Sequence, residues 1–409
     1  MESRLSTALA LAITVLMELP GFAAPPTPKK PAHGDRTERE VEPEAGTLIT
    51  PPYLLWPGEG RMAVRFEVQG ARETRVVLRG PTGLERTVTP EAEKPSLLAR
   101  SLAGRMYRAD LTELLACREY AYRVEPFEQG FPHRFTALPA AGKACPGGTR
   151  LAVFGDTRYG DDHHAAIMTQ MRPYRPLFLL NGGDIVNEAR RLDEWRRFFH
   201  IERDVAGDVP LAVAPGNHEG YLDPKFGAAM MERYFGLPGS PGTGHRSFDV
   251  GPVHVVVLDL YWGTSMSERG RRWLEKDLAA VPDDRFRIVV MHEPGFSFSR
   301  HRVYSTLRNL REVFSRYRVD AVCGGHSHIY EHFKADGVHY LTLGGGGAPL
   351  HKPRMRVVKG EEKYLVETGA FHHFMVVDFQ EGKAVFRVID SDSKKIHETF
   401  ESQRPTAGP

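Results

Sequence analysis

Five times between residues 150 and 328, a short apolar run in this chain ends on a polar cluster, usually one flanked by glycine. Arg150–Phe154 runs into Gly155-Asp156-Thr157-Arg158, and Leu177–Leu180 into Gly182-Gly183-Asp184. Leu211–Ala214 precedes Gly216-Asn217-His218-Glu219, Arg287–Met291 ends on His292-Glu293-Pro294, and Ala321–Cys323 meets Gly324-Gly325-His326-Ser327-His328. Helical patterns separate several of the runs: Asp162–Met171, Leu192–Ile201, Ser267–Ala280 and Leu307–Tyr317. Such alternation predicts an α/β layered fold with strands covered on both faces. Further runs at Tyr340–Leu343, Phe374–Phe379 and Ala384–Ile389 are expected to complete a second sheet. Ligands of open α/β sheets bind beyond the carboxyl ends of the strands, so loops far apart in sequence converge there.

The chain ahead of this region has a different grammar. Arg61–Val68, Thr74–Arg79 and Arg118–Val124 alternate apolar and polar residues between turn pairs such as Pro57-Gly58, as half-buried antiparallel strands do. Residues 46–140 therefore read as a small β-sandwich, and the Ala-, Gly- and Pro-rich Leu138–Thr149 as its boundary with a domain over 148–400. Residues 401–409 read as a tail. Residues 24–45, with Pro25, Pro26, Pro28 and Pro31 and no apolar periodicity, read as a disordered linker. Ahead of them, Arg4, the apolar Ala8–Met17 and small residues up to Ala23 match a secretory signal peptide over residues 1–23. Glu18 and Pro20 interrupt that run too early for a comfortable membrane span. A secreted or periplasmic location is the expectation, with no transmembrane span in the mature chain. Cys117 and Cys145 can pair if the compartment is oxidising, while Cys323 sits in an apolar run as a buried hydrophobe.

Composition mainly excludes. Lysine plus arginine number 54 against 52 acids, a net charge of +2, so no basic footprint of a nucleic-acid binder is present. Arg190, Arg191, Arg196 and Arg197 interleave with Asp193 and Glu194 as a solvated helix face. The 18 histidines are more telling, because several stand at strand ends beside glycine. The five clusters together offer Asp156, Asp184, Asn217, His292, His326 and His328 as metal donors, with His218 to spare. Oxygen and imidazole donors without thiolate suit Mn, Zn or Fe. Six donors exceed what one tetrahedral zinc uses, and one carboxylate bridging two ions uses the set economically. Two such ions can stabilise both oxygens of an in-line displacement at phosphorus and supply hydroxide near neutral pH.

Gly155-Asp156, Gly183-Asp184, Gly216-Asn217-His218-Glu219, His292 and Gly325-His326-Ser327-His328 together resemble the calcineurin-like metallophosphoesterase superfamily. The sandwich ahead of them makes the chain similar to the purple acid phosphatase branch, as do Ser247-Phe248-Asp249, Gly344–Gly347 and His372-His373. The resemblance covers roughly residues 46 to 400. It implies a four-layer α/β (α+β) metallophosphoesterase fold, two sheets flanked by helices, behind an all-β, fibronectin III-like sandwich. It also implies that Asp156 and His328 hold a first ion, that Asp184 bridges, and that Asn217, His292 and His326 hold a second. His218 would steady the phosphoryl oxygens or protonate the leaving group, a role worth about 10²–10⁴ in rate.

Two departures stand out. Many superfamily members carry His two residues after the first Asp, where this chain has Arg158. Purple acid phosphatases carry Tyr three residues after the bridging Asp, where this chain has Asn187. The first ion therefore lacks a ligand unless the Asn187 oxygen or water supplies it, and no tyrosinate is left to colour a ferric centre. Arg158 reads equally well as a bidentate phosphate ligand or as a structural ion pair. His301, between Arg300 and Arg302, is expected to overhang the site. His245 and His373 are lesser candidates, and Asp161, Asp162, His163 and His164 are expected to begin a helix. The function implied is hydrolysis of a small phosphate ester by metal-bound hydroxide, with monoesters preferred over diesters. The alternative is an envelope binding protein whose site is vestigial, and the sequence leaves the oligomeric state open.

Overall fold

The alternating segments ahead of residue 140 form eight strands. They are β1 (Thr47–Leu55), β2 (Met62–Gln69), β3 (Arg75–Arg79), β4 (Glu85–Val88), β5 (Glu91–Ala92), β6 (Arg105–Leu111), β7 (Glu119–Glu125) and β8 (His133–Thr136). In the computed structural model, which describes residues 46–405 except 71–72, 101, 237–243, 262–265, 300–304 and 354–359, they pair as two antiparallel sheets. The sheet orders are β1-β2-β6-β5 and β4-β3-β7-β8. Val64, Phe66, Val76, Leu78, Tyr122 and Phe135 fill the space between them. The expected signal peptide, the linker and His301 lie outside the described residues.

One face of β2 departs from the half-buried expectation. Arg65 and Glu67, on its polar register, are as buried as the apolar residues beside them. The reason is that this face meets the second domain. Glu67 accepts hydrogen bonds from Thr50 (2.8 Å), Arg196 (3.2 Å), Arg233 (2.5 Å) and the Tyr234 hydroxyl (3.3 Å). Burial pushes its carboxyl up, but the two guanidinium groups outweigh that and hold it below its ordinary value. Tyr53 stacks on Phe199 in the same seam. Cys117 and Cys145 form a disulfide, tying a sandwich turn to the chain that enters the second domain. Closing a loop with a sequence separation of 28 restricts the unfolded chain by about 3–4 kcal/mol.

The second domain continues with β9 (Thr149–Phe154), α1 (Asp161–Met171), β10 (Phe178–Asn181), α2 (Leu192–Ala206), β11 (Leu211–Val213), the single turn α3 (Asn217–Gly220), α4 (Pro224–Phe235), β12 (Arg246–Val250) and β13 (Val253–Val257). It then runs through α5 (Glu268–Ala279), β14 (Phe286–Val290), α6 (Ser305–Arg316), β15 (Ala321–Gly324), β16 (Tyr330–Ala335), β17 (Val338–Leu343) and β18 (Leu365–Gly369). It closes with β19 (His373–Gln380), β20 (Lys383–Asp390) and β21 (Lys395–Gln403). The strands form two sheets, ordered β11-β10-β9-β19-β20-β21 and β12-β13-β14-β15-β17-β16-β18. Leu151 and Val153 of β9 point between the sheets, against Val255, Ile288 and Val290. Ala152 and Phe154 point the other way, onto Ile167 of α1 and Phe199 of α2. Val256 and Val289 of the second sheet likewise pack beneath Leu274 of α5 and Phe314 of α6. Two sheets face to face, each with helices behind it, make the four layers.

The C-terminal runs divide between the sheets instead of completing the second. β17 joins the second sheet, parallel to β15. β19 instead enters the first, antiparallel to β9, with Met375 opposite Val153. β19 is apolar on both faces, which suits an interior strand, but such a pattern does not say whose neighbour the strand will be. β21 continues to Gln403, past the expected start of the tail, and Arg404 is buried in an ion pair with Asp320. Among the described residues, no helix is long and apolar enough to cross a membrane.

Candidate metal centre

β9, β10, β14 and β15 end at one edge of the stacked sheets, and each hands over to a loop that must turn at once. Asp156 (φ 58°), Asp184 (φ 56°) and His326 (φ 67°) all sit in the left-handed region, which costs a side-chain-bearing residue energy. The strain places their side chains together. Asp156 and Asp184 are 0% and 1% exposed, and with His292 they bring ligand atoms within 4.8 Å of one another. Two buried carboxylates this close require positive charge between them.

One donor group gathers around Asn217. The His292 Nδ1–H donates to the Gly182 carbonyl (2.7 Å), which fixes the tautomer and turns the Nε2 lone pair into the site. That Nε2 lies 3.1 Å from Asn217 Oδ1 and 3.3 Å from Asp184 Oδ1. His326 Nδ1 is 2.8 Å from the same Asn217 oxygen. Lone pairs so arranged need a cation or a proton. Burial opposes a proton on His292, yet the Asp184 carboxylate outweighs it and pushes the ring up to about 10. Asp184, despite burial, is held well below the carboxylate range by His292, His218 and Arg158. The donor chemistry fits a divalent or trivalent ion held by Asp184, Asn217, His292 and His326.

The other group gathers around His328. Its Nδ1–H donates to the Pro349 carbonyl (2.8 Å), leaving Nε2 3.4 Å from Asp156 Oδ1. Asp156 also accepts from the His326 amide (2.8 and 3.0 Å). Asp156, His328 and the second Asp184 oxygen suit another ion. Here, however, the Arg158 Nε donates to Asp184 Oδ2 (3.2 Å), and its Nη2 lies 3.3 Å from His328 Nε2. Asn187 enters the site through its main chain: its carbonyl accepts from His218 Nδ1 (2.8 Å) and its amide donates to Glu194 (2.6 Å). His218 is anchored by that bond and by its own amide on Asp184 Oδ1 (3.0 Å), with Nε2 turned toward the centre, 4.0 Å from Asp184 Oδ2. Burial lowers the pKa of its ring.

Sequence reasoning gave Glu219 no role and missed His351. The fully buried Glu219 carboxylate accepts from the amides of Asp184 (3.0 Å), Gly216 (2.6 Å), Ile185 (2.8 Å) and Val186 (3.2 Å), so it fixes the bridging loop and the Asn217 loop together. Its signal was the glutamate three residues into a helix start, reaching back to the first amide. Burial and then the Asp184 charge push it up to about 7. His351 stacks on His328 with ring centres 4.1 Å apart, and its Nδ1 accepts from the His328 amide (3.2 Å). The Gly344–Gly347 run has a packing reason. A Cβ on Gly344 would stand 2.1 Å from the Ser327 carbonyl oxygen, and one on Gly346 would stand 2.1 Å from that of Gly155.

The lesser histidines are elsewhere. His245 Nδ1 accepts from the Asp259 amide (3.1 Å), and His373 Nδ1–H donates to the Phe371 carbonyl (2.8 Å); burial lowers both rings to about 4. Asp161 and Asp162 open α1, as expected, and His164 is buried against Glu202 (3.1 Å). His163, His372 and Asp392 form a second cluster, but the two rings stack 3.6 Å apart and nearly parallel. An imidazole binds a metal in its ring plane, so their lone pairs do not converge.

Comparison with known proteins agrees with this architecture. Residues 149–330 match the family model described as calcineurin-like phosphoesterase. Human acid phosphatase type 7 is 28% identical over 346 residues, covering 74% of each chain. The Fe(3+)-Zn(2+) purple acid phosphatase 12 of Arabidopsis thaliana is 32% identical over 250 residues, and the match spans about half of that relative, 52%. The structure of a purple acid phosphatase from yellow lupin seeds superposes with a TM-score of 0.73 at 16% identity, covering 86% of this chain and 74% of the lupin chain.

Proposed function

From a chain that carries a calcineurin-like metallophosphoesterase domain and stands among the hydrolases of phosphoric esters, we propose a secreted enzyme that hydrolyses phosphate monoesters on a two-ion centre. The observation that carries this reading is Asp184. One of its oxygens faces His292 and the Asn217 group, and the other faces Arg158 and the His328 group. A single buried carboxylate thus belongs to both donor sets. Bound there, the two ions would supply a hydroxide near neutral pH and stabilise the charge that builds on phosphorus oxygens.

The protein's own groups do the rest. Asp156, Asn217, His292, His326 and His328 would hold the ions, and Glu219 holds two of the candidate ligand loops in register. His218, with one nitrogen fixed on the Asn187 carbonyl, presents the other toward the substrate, where it can donate to the leaving oxygen. Arg158 offers a cationic fork of donors, which favours the dianionic, three-oxygen terminus of a monoester over the monoanionic diester. The Cys117–Cys145 disulfide supports an oxidising compartment, in line with the leader-like N-terminus.

The test is hydrolysis of one chromogenic phosphate monoester and its matching diester. The mature chain is reconstituted separately with Mn, Zn and Fe, and Asp184→Ala serves as the blank. Metal-dependent turnover, faster on the monoester and absent from the blank, is the expected outcome. Faster turnover of the diester would overturn the monoester assignment. No turnover and no metal uptake would overturn the enzyme reading.

A further inference from the structure

We propose that the Arg158 guanidinium occupies the first metal position, and that an ion enters it only by displacing that side chain. The centre therefore loads in order, the Asn217 position first and tightly, the His328 position second and weakly. The inference rests on the two-ion reading above and concerns how the two positions differ.

Arg158 is not a surface arginine that happens to pass the site. Its side chain is only 12% exposed, and its Nε and Nη2 engage the two atoms a first ion would need, Asp184 Oδ2 and His328 Nε2. The His328 tautomer is set by the Pro349 carbonyl, so Nε2 offers a lone pair, and the guanidinium N–H faces that lone pair. A delocalised cation thus neutralises Asp184 where an ion would otherwise do so. A dication arriving at Asp156 and His328 meets a like charge in a half-desolvated space, where repulsion is far stronger than in water. Among the described residues, no guanidinium is in hydrogen-bond contact with Asn217 or His292 at the Asn217 position. Asn217 Oδ1, Asp184 Oδ1 and His292 Nε2 converge there as acceptors.

The displaced side chain has somewhere to go. A cavity of about 520 Å³ opens beside the centre; among its lining residues Asp161 and Glu194 already pair with Arg197 and Arg191, and Asp162 lines it as well. A guanidinium withdrawn into it stays beside the ions, where a phosphoryl oxygen could recruit it. Arg158 thus stands as a competitor where the first ion would bind.

The metal-stripped full chain is titrated with Mn2+ by calorimetry, and bound metal is counted by mass spectrometry after equilibrium dialysis. The wild type is expected to take one ion tightly and a second at least about tenfold more weakly, the size of effect that groups around a metal site exert. Arg158→His and Arg158→Gln, the second keeping most of the stem without the charge, should strengthen the second step by about tenfold or more and leave the first unchanged. Thermal melting verifies that both variants are folded. Two ions bound with equal affinity overturn the proposal while leaving the phosphoesterase reading intact. So does a gap that neither variant narrows. No uptake by the wild type overturns this proposal and the two-ion reading together.

Discussion

The two donor groups share Asp184 and are finished in opposite ways. Around Asn217 the protein supplies lone pairs and leaves the charge to the ion, whereas around His328 it supplies a charge of its own through Arg158. Their supports differ as well. The Asn217 side is braced by a buried carboxylate, Glu219, that collects amides from two loops. The His328 side is braced by the Pro349 carbonyl and the stacked ring of His351, both from the segment after the glycine run. The contrast teaches that one substitution can change the charge of one half without disturbing the geometry of the other. The halves meet at the Asp184 carboxylate, at the His326 amide on Asp156, and in the one loop after β15 that carries both His326 and His328.

The sharpest way to break the comparison is therefore to remove what the halves share. Asp184→Asn keeps the shape and deletes the charge. It should lower kcat by about three orders of magnitude, an increase in barrier of about 4 kcal/mol, and it should weaken metal binding at both positions. If only one position loses affinity, Asp184 is not a bridge. A smaller and one-sided effect is expected from Glu219→Gln. Glu219 Oε2 accepts from Asp184 and Gly216 while Oε1 accepts from Ile185 and Val186, so an amide sets two donors against donors. Metal affinity at the Asn217 position should fall about 10–100-fold, with a stability loss of about 1–3 kcal/mol. Calorimetric titration separates the two positions, and an equal loss at both would erase the distinction drawn between them.

Sequence alone pointed to the candidate ligands because a sharp turn at a strand end brings such side chains together, and Gly-Asp and Gly-His after an apolar run state that turn openly. Asp156, Asp184, Asn217, His292, His326 and His328 meet for that reason, and His218 stands beside them. Pairing was not legible. The apolar run of β19 fits the interior of either sheet, and only the long-range contacts around Val153 and Met375 decide. Nor did alternation disclose that Arg65 and Glu67 are buried, because their partners Arg196 and Arg233 lie more than a hundred residues away. Arg158 was recognised as a departure, but its partners depend on how two loops cross. His351 carried no signal, since an isolated histidine after a glycine run has no periodic or motif context.

His351 supplies the finest test of the comparison. Its ring lies 4.1 Å from that of His328, its Nδ1 accepts the His328 amide at 3.2 Å, and its own amide donates to the His328 carbonyl at 2.9 Å. His351→Ala keeps that last bond, which is main chain, and removes the stack and the side-chain acceptor. The loss of one such hydrogen bond and ring contact is worth about 1 kcal/mol, or roughly fivefold in affinity. It should fall on the second, weaker ion and leave the first untouched. Thermal stability of the metal-free chain should move little, because the segment stays pinned by Ala348 on the Asp156 carbonyl. If His351→Ala instead weakened the Asn217 position, the two halves would be coupled through the ion pair itself. The independence argued from their separate supports would then have to be given up.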